Sequence, residues 1–256
     1  MAPVILVTND DGIHARGLAV LAEALAEIGE VYVVAPDREQ SAVGHALTLH
    51  RPLRVDRVAE RRYAVNGTPS DCVNLAVLGL LPEPPVLVAS GINHGTNLGD
   101  DVTYSGTVSA AMEGTLLGVP SMAVSQADPE AEGFEGAAAV ARAVAMRLLV
   151  EGLPAKTLLN VNVPRGEVKG IRLTRLGHRV YREKVIREVD PRGRPYYWIG
   201  AGPPEWAEDA SADIAAVHEG YASVTPLHLD LTHHGALRAM GSWESSLNAQ
   251  FRRRSR

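Results

Sequence analysis

The chain has 256 residues, of which 46% are hydrophobic and 21% charged, and this composition indicates a folded globular protein. A formal net charge of −5 argues against a general nucleic-acid-binding protein, whose affinity comes from basic residues that neutralise phosphates. The single cysteine, Cys72, excludes an intramolecular disulfide framework and suits a reducing compartment. With neither a signal peptide nor a membrane-spanning apolar run, the sequence predicts a soluble cytoplasmic protein.

Short apolar runs alternate with amphipathic segments through the first 164 residues. The apolar runs predict strands at 4–7, 31–34, 86–89, 122–124 and 158–163. Helical spacing of Leu18, Leu21 and Leu25 predicts a helix between the first two strands, closed by Gly29. Strand, helix and strand within some 30 residues form a βαβ unit, which gives parallel strands. The pattern therefore predicts an α/β fold with a mostly parallel sheet.

Three further helices are predicted in the same half. Thr68 is a capping residue followed by Pro69 and, three positions after the cap, by Asp71, a strong helix start. A second helix opens at 105–107 and reaches Gly118, and the alanine-rich run 133–150 is the third. A glycine-rich loop is expected at 90–101, directly after the third strand.

The pattern changes after Pro164. Residues 178–199 are polar and aromatic and surround a turn signal at 190–193, which predicts a projecting β-hairpin. Residues 221–225 are a strand candidate, and Trp243, Leu247 and Phe251 give the last helix a narrow apolar stripe. We therefore expect a core over 1–164 and, over 165–256, further core strands with a hairpin arm and a C-terminal element, within one structural domain. Packing of these extensions on another subunit and folding back on their own chain are both open.

Polar residues follow the predicted strands, and the carboxyl ends of parallel strands share one edge of the sheet, where ligands bind. Asp10 and Asp11 follow the first strand, Ser41 follows the second and Asn93 the third. Two crowded carboxylates repel each other, and a divalent cation removes that cost. The oxygen donors suit Mg²⁺ or Mn²⁺ better than Zn²⁺. In the alternative interpretation, Asp10 caps the next helix and Asp11 is solvated.

The loop 91–99 contains three glycines, so its backbone N–H groups can approach an anion, and Asn97 can add a side-chain donor. The helix starting at 105–107 offers free N–H groups to a phosphate. Simple turn chemistry for the glycines and a capping role for Ser105 are the alternatives. The sequence lacks a P-loop, a dinucleotide-binding glycine fingerprint after the first strand and a nucleophile elbow.

At these same positions the sequence resembles the survival protein E (SurE) family of nucleotidases. The resemblance covers most of residues 4–125 and is looser at 225–232. Its blocks are Thr8-Asn9-Asp10-Asp11-Gly12 with Gly17, Val34-Ala35-Pro36-Asp37-Arg38 with Ser41, Gly67-Thr68-Pro69-Ser70-Asp71-Cys72-Val73, Ser90 to Asp101, and Tyr104-Ser105-Gly106-Thr107 continuing to Gly114. One departure is Ala42-Val43-Gly44-His45, where the family usually has glycine and small polar residues, so the resemblance does not define the loop shape or the substrate preference.

The resemblance implies a Rossmann-like, three-layer α/β/α fold and a metal-dependent phosphatase of nucleoside 5′- and 3′-monophosphates, with short polyphosphate as a further substrate in some members. It implies one Mg²⁺ or Mn²⁺ per subunit and a homodimer or homotetramer built through the hairpin arm and an exchanged C-terminal element. By position, the implied metal ligands are Asp10, Asp11, Ser41 and Asn93. The implied phosphate-binding residues are Asn93, Gly95, Asn97, Ser105, Gly106 and Thr107, and the catalytic residues are Asp10, Asp11 and Asn97.

Two other classes of function stay open at this point. The chain could be a regulatory module that holds a nucleotide without turnover, or a Rossmann-type transferase or oxidoreductase that uses a nucleotide cofactor. A general acid for the leaving alcohol is not evident in the sequence. His94 is near the predicted site and is a candidate for proton transfer.

Overall fold

The computed structural model describes residues 2–127, 133–180, 184–201 and 205–254. The strands are β1 (Val4–Thr8), β2 (Glu30–Pro36), β3 (Val55–Ala59), β4 (Arg62–Val65), β5 (Leu87–His94), β6 (Ser121–Gln126), β7 (Thr157–Val163), β8 (Ile171–Leu173), β9 (Arg179–Val180), β10 (Lys184–Val189), β11 (Pro195–Ala201), β12 (Glu205–Trp206) and β13 (Ala222–His228). The α-helices are α1 (Arg16–Ala26), α2 (Pro69–Leu75), α3 (Gly106–Leu116), α4 (Glu135–Glu151), α5 (Asp213–His218), α6 (His234–Ala239) and α7 (Trp243–Arg254). A π-helical turn spans Ala76–Leu80 and a 3₁₀ turn spans Gly99–Thr103.

Nine strands form one sheet in the order β3-β4-β2-β1-β5-β6-β7-β13-β8. The six strands from β4 to β7 are parallel to one another, while β3 and β13 run antiparallel to their neighbours β4 and β7. The chain runs outward from β1 to β2 on one side and resumes at β5 on the other side. Strand order therefore reverses beside β1, and a crevice opens there at the carboxyl ends of the strands.

Helices cover both faces of the sheet, as the predicted three-layer α/β/α fold requires. α1 and α4 pack together on one face, and α2 and α3 pack together on the other. All five residues of β1 are buried, as expected of a strand between two helical layers. Leu18, Leu21 and Leu25 are completely buried on the inner side of α1, which confirms the helical spacing seen in the sequence.

The start of α2 also confirms a prediction. Thr68 accepts a hydrogen bond from the backbone N–H of Asp71, and the Asp71 carboxylate accepts one from the backbone N–H of Thr68. Each group satisfies a donor that a helix terminus otherwise leaves unpaired. Pro69 occupies the first turn, where its missing N–H costs no helical hydrogen bond.

Two predicted boundaries were wrong. The glycine-rich loop was expected from Ser90, but β5 continues to His94 and pairs with β6 after an irregularity between Ser90 and Asn93. Gly91 makes this possible, because its φ is +133° and a Cβ there would lie 2.2 Å from the Val124 carbonyl oxygen. Helix α1 ends at Ala26 rather than at Gly29. The β3–β4 hairpin, β8, α5 and α6 were not predicted, since their sequences carry weak periodicity.

Strands from both sides of residue 164 share the sheet, because β13 and β8 extend it beyond β7. The predicted strand at 221–225 is part of β13, and the predicted last helix is α7. The predicted hairpin is present as β10 and β11, but it begins at Lys184 rather than at 178. Residues 179–180 instead pair with β12, and 181–183 lie outside the described residues. Within the described ranges, no helix is both long and apolar enough to cross a membrane.

Candidate active site

A cleft of about 610 Å³ lies at the carboxyl ends of β1, β2 and β5, beside the N-terminus of α3. The three polar loops that the sequence singled out meet here. The cleft is lined by Asp10, Asp11, Glu39, Ser41, Ala42, Asn93, His94, Asn97, Asp101, Tyr104, Ser105 and Arg179. The predicted residues Gly95, Gly106 and Thr107 are not part of its wall, but each directly contacts or neighbours a residue that is.

Asp10 is almost completely buried at the end of β1, with 5% of its surface exposed. The Thr107 hydroxyl, at the start of α3, donates a short hydrogen bond to its carboxylate. Burial raises the pKa of Asp10, and this hydrogen bond from Thr107 opposes the rise. Gly106 allows the approach, since a Cβ there would lie 2.7 Å from the Asp10 Cβ. The alternative role of Asp10 as a helix cap was wrong, because Ala15 is the N-cap of α1.

Asp11 is half-buried at the cleft and is not the fully solvated side chain of the alternative interpretation. Burial, followed by the charge of Asp10, raises the pKa of Asp11 to about 6. The two carboxylates therefore disfavour each other's ionisation at a site where water is partly excluded. A divalent cation between them would remove this cost.

Ser41 and Asn93 bring neutral oxygens to the same cleft. The Ser41 hydroxyl donates to Glu39 Oε1 at 2.7 Å, which leaves the lone pairs of its oxygen as a possible ligand. The Asn93 side-chain N–H donates to the Gly95 carbonyl at 2.8 Å, so the other end of that amide is its oxygen acceptor. The donor set thus has two carboxylates, one hydroxyl and one amide oxygen, which fits Mg²⁺ or Mn²⁺. The described residues contain no cluster of three or more His, Cys, Asp or Glu arranged to hold a metal. The donor set proposed here has only two such residues, Asp10 and Asp11, and takes its other two oxygens from Ser41 and Asn93.

Asn97 is held by a buried polar network that the sequence argument missed. Its backbone N–H donates to Asn162 Oδ1, and its carbonyl accepts from the side chains of Asn160 and Asn162. Its side-chain N–H donates to Ser125 Oγ at 2.7 Å. Asn160 and Asn162 are completely buried in β7. Two asparagines alternating within an apolar strand are a signal that could have pointed to this network.

The N-terminus of α3 opens on the cleft. Ser105 is its N-cap and accepts from the Val108 backbone N–H at 3.1 Å, so its capping role is confirmed. Ser105 also lines the cleft, and the two roles do not conflict because a hydroxyl can both accept and donate. The positive dipole end of α3 therefore faces the space beside Asp10, whose carboxylate also accepts from the Thr107 backbone N–H.

Several cleft residues were not predicted. Glu39 and Asp101 add two carboxylates, and Tyr104 adds an exposed aromatic ring. Arg179 comes from β9, beyond residue 164, and its guanidinium donates to Asp101 Oδ1 at 2.7 Å. No local motif marks Arg179, since its place at the cleft depends on how the second half folds over the first.

Comparisons with known proteins agree with these features. The family model "Survival protein SurE" matches residues 5–183. A protein named 5′-nucleotidase SurE from Syntrophotalea carbinolica is 55% identical over 242 residues, covering 94% of this chain and 97% of the relative. A protein of the same name from Geobacter sulfurreducens is 54% identical over 246 residues, covering 94% of each chain.

The fold agrees as well. The crystal structure of the SurE protein from Aquifex aeolicus matches with a TM-score of 0.86 at 47% identity, over 94% of this chain and all of that one. The matched family span contains every motif block that carried the resemblance up to Gly114, together with Arg179. The chain belongs to the SurE family.

Proposed function

We propose that this chain is a 5′-nucleotidase that hydrolyses nucleoside monophosphates to nucleoside and inorganic phosphate. The curated relatives named 5′-nucleotidase SurE support this activity, since they are 54–55% identical over nearly the whole chain. One structural observation carries the chemistry: the N-terminus of α3 and two adjacent carboxylates, one buried and one half-buried, open on the same cleft.

The charges in the cleft explain why a cation is needed. Asp10, Asp11, Glu39 and Asp101 supply four carboxylates, against one guanidinium from Arg179. A phosphate dianion would be repelled by this set unless a cation lay between them. In the proposal, one Mg²⁺ or Mn²⁺ per subunit is held by Asp10, Asp11, Ser41 and Asn93. When bound, such a cation offsets phosphoryl charge and activates water for attack.

The remaining predicted residues hold the phosphoryl group. Backbone N–H groups at Ser105 and Gly106 donate to its oxygens and stabilise the charge that grows there in the transition state, whereas the predicted third group, the Thr107 N–H, is bonded to Asp10. Asn97 uses one side-chain N–H for Ser125, and its second N–H is available to the phosphoryl group. Asn93, near the end of β5, and Gly95, directly after β5, complete the proposed phosphate-binding set. Thr107 also fixes Asp10 through its hydroxyl, so the cation and phosphate positions are set by the same helix start.

Phosphate release tests this function directly. We expect the wild-type protein to release phosphate from AMP with Mn²⁺ or Mg²⁺ and to stop when a chelator is added. Assays with 3′-AMP and short polyphosphate define the wider substrate range. Turnover excludes a regulatory module that only holds nucleotide. Failure to release phosphate from any nucleoside monophosphate with either metal would overturn the proposal, and NAD or S-adenosylmethionine retained on purification would favour the transferase or oxidoreductase alternative.

Oligomerisation is also proposed, through the β10–β11 hairpin arm and α7. The support is exposed apolar surface: Trp198 in the arm and Trp243, Leu247 and Phe251 on α7. Subunit number, the preferred metal, the cytoplasmic location and the division at residue 164 stay predictions.

A further inference from the structure

The loop 41–50 carries Ser41 at one end and is tied to the body of the protein by a histidine–glutamate pair. His45 Nε2 lies 2.8 Å from Glu113 Oε2. Glu113 is on α3, only 7% of its side chain is exposed, and its second oxygen accepts from the Asn74 side chain at 2.7 Å. The hydrogen bond from His45 lowers the pKa of Glu113, which keeps this carboxylate ionised at neutral pH. His45 thus ties the loop to α3 through a specific contact.

Two more hydrogen bonds hold the part of the loop beyond His45. The Thr68 hydroxyl donates to the Ala46 carbonyl at 2.7 Å. The Thr48 backbone N–H donates to Asp71 Oδ1 at 2.8 Å. This end of the loop is therefore fixed to the start of α2, and His45 is the attachment nearest to Ser41 among these three.

The segment between Ser41 and His45 has an unfavourable backbone conformation. Ala42 has φ +56° and Gly44 has φ +61°, both in the left-handed region. Glycine adopts this region at no cost, whereas alanine pays for its Cβ, so the surroundings must hold Ala42 there. Ala42 lines the cleft directly beside Ser41. A contact that fixes His45 therefore also fixes the turn that presents Ser41.

We infer that His45 is a positioning residue for Ser41: by pairing with Glu113 on α3, it holds the left-handed turn that places the Ser41 oxygen among the other ligands of the cation. This inference rests on the proposed assignment of Ser41 to the metal. Glu113 lies on the helix whose N-terminus is proposed to receive the phosphoryl group. One helix thus sets both the phosphate position and, through His45, the position of a metal ligand.

The test is direct Mn²⁺ binding in the absence of nucleotide, by calorimetry or by the free-Mn²⁺ electron paramagnetic resonance signal. His45→Ala should weaken binding about tenfold, the effect expected when the support of a metal ligand is removed. His45→Gln and His45→Asn form a matched pair: the glutamine amide reaches the position of Nε2, whereas the asparagine amide stops short of it. Glutamine should restore binding and asparagine should not. His50→Ala, an exposed histidine of the same loop, should bind Mn²⁺ like wild type.

A double-mutant cycle separates positioning from general destabilisation. If His45 acts through Ser41, then His45→Ala should add little to the loss of affinity already caused by Ser41→Ala. Equal losses in both backgrounds, or unchanged binding in His45→Ala, would overturn the inference. A Ser41→Ala variant that binds Mn²⁺ like wild type would also overturn the inference about His45. The proposed nucleotidase function would still stand after that result. Conversely, a protein without phosphatase activity can still show non-additive losses of Mn²⁺ affinity in this double-mutant cycle. The failure of one proposal is therefore distinguishable from the failure of the other.

Discussion

The cleft and the C-terminal surface of this molecule are built in opposite ways. Around the cleft, buried side chains are held by hydrogen bonds from within the chain: Asn160 and Asn162 donate to the Asn97 carbonyl, and Asn162 accepts from the Asn97 backbone N–H. In the hairpin arm and α7, large apolar side chains are exposed: 60% of Trp198 and 73% of Phe251. The first region is organised by contacts within a single chain, and the second presents surface of the kind that protein partners cover.

This difference leads us to expect that the proposed chemistry and the proposed assembly are carried by separate parts of the same sequence. Changes in the cleft should abolish activity and leave the assembly intact. Changes on α7 should do the reverse.

Asp10→Ala should lower the rate of phosphate release from AMP by about a thousandfold, because it removes a proposed ligand of a cation that would contribute several kcal/mol of transition-state stabilisation. Asp10→Asn should be milder, since its amide keeps one oxygen ligand. The measurement is steady-state phosphate release over a Mn²⁺ titration. Asp56→Ala, which removes an exposed carboxylate of β3, is the matched control and should keep wild-type activity. Wild-type turnover in Asp10→Ala would contradict the proposed metal site with four ligands.

Asp213 joins the two halves and should matter for stability. It is completely buried and accepts hydrogen bonds from the backbone N–H groups of Gly99, Gly177 and Ile214, each at 2.9 Å. Asp213→Ala leaves these three donors unpaired and should lower the free energy of unfolding by about 3 kcal/mol. Urea denaturation measures the change.

The control for that change is Glu208→Ala, an exposed carboxylate nearby, which should change stability by less than about 0.5 kcal/mol. Equal stability of the Asp213→Ala and wild-type proteins would show that this carboxylate does not tie the Gly99 turn to the second half.

Much of the first half could be predicted because its signals are local. A capping box needs only Thr68, Pro69 and Asp71, and a buried parallel strand is visible as a short apolar run such as 4–7. The cleft was predicted from topology, since polar residues that follow parallel strands meet at one edge. Asp10, Asp11, Ser41, Asn93, Asn97 and Ser105 all line it.

What was missed depends on contacts distant in sequence. Arg179 reaches the cleft only because β9 folds back towards Asp100 and Asp101. The end of β5 looked like a loop because Gly91 and Asn93 disfavour strands, yet pairing with β6 overrides that local preference. Such contacts leave no local pattern to read.

The apolar stripe of α7 gives the complementary test. Leu247→Glu places a charge in a proposed interface. A leucine buried there contributes about 2 kcal/mol to association, and burying a charge costs more. The variant should therefore shift towards monomers in sedimentation velocity. Asn248→Glu, one position off the stripe, adds the same charge and should leave the assembly unchanged. Both variants should still release phosphate from AMP. A monomeric wild type, or identical sedimentation of the two variants, would contradict the proposed role of α7.

The smallest expected effect concerns the stability of the metal-free protein. Burial and Asp10 raise the pKa of Asp11 to about 6 from an ordinary value of 3.8. The folded state therefore holds a proton more tightly than the unfolded state, and the resulting stability is fully present below pH 3.8 and lost as the pH rises through about 6. Since Asp11 is partly exposed, solvent screening limits the loss to about 1 kcal/mol. In urea denaturation with a chelator, the free energy of unfolding of Asp11→Ser relative to that of wild type should increase as the pH rises from 3.8 through about 6. Added Mn²⁺ should restore the lost stability of the wild type and should not stabilise Asp11→Ser. If the free energies of unfolding of the two proteins changed in parallel with pH, then Asp10 and Asp11 would not repel each other, and a cation would have no repulsion to relieve.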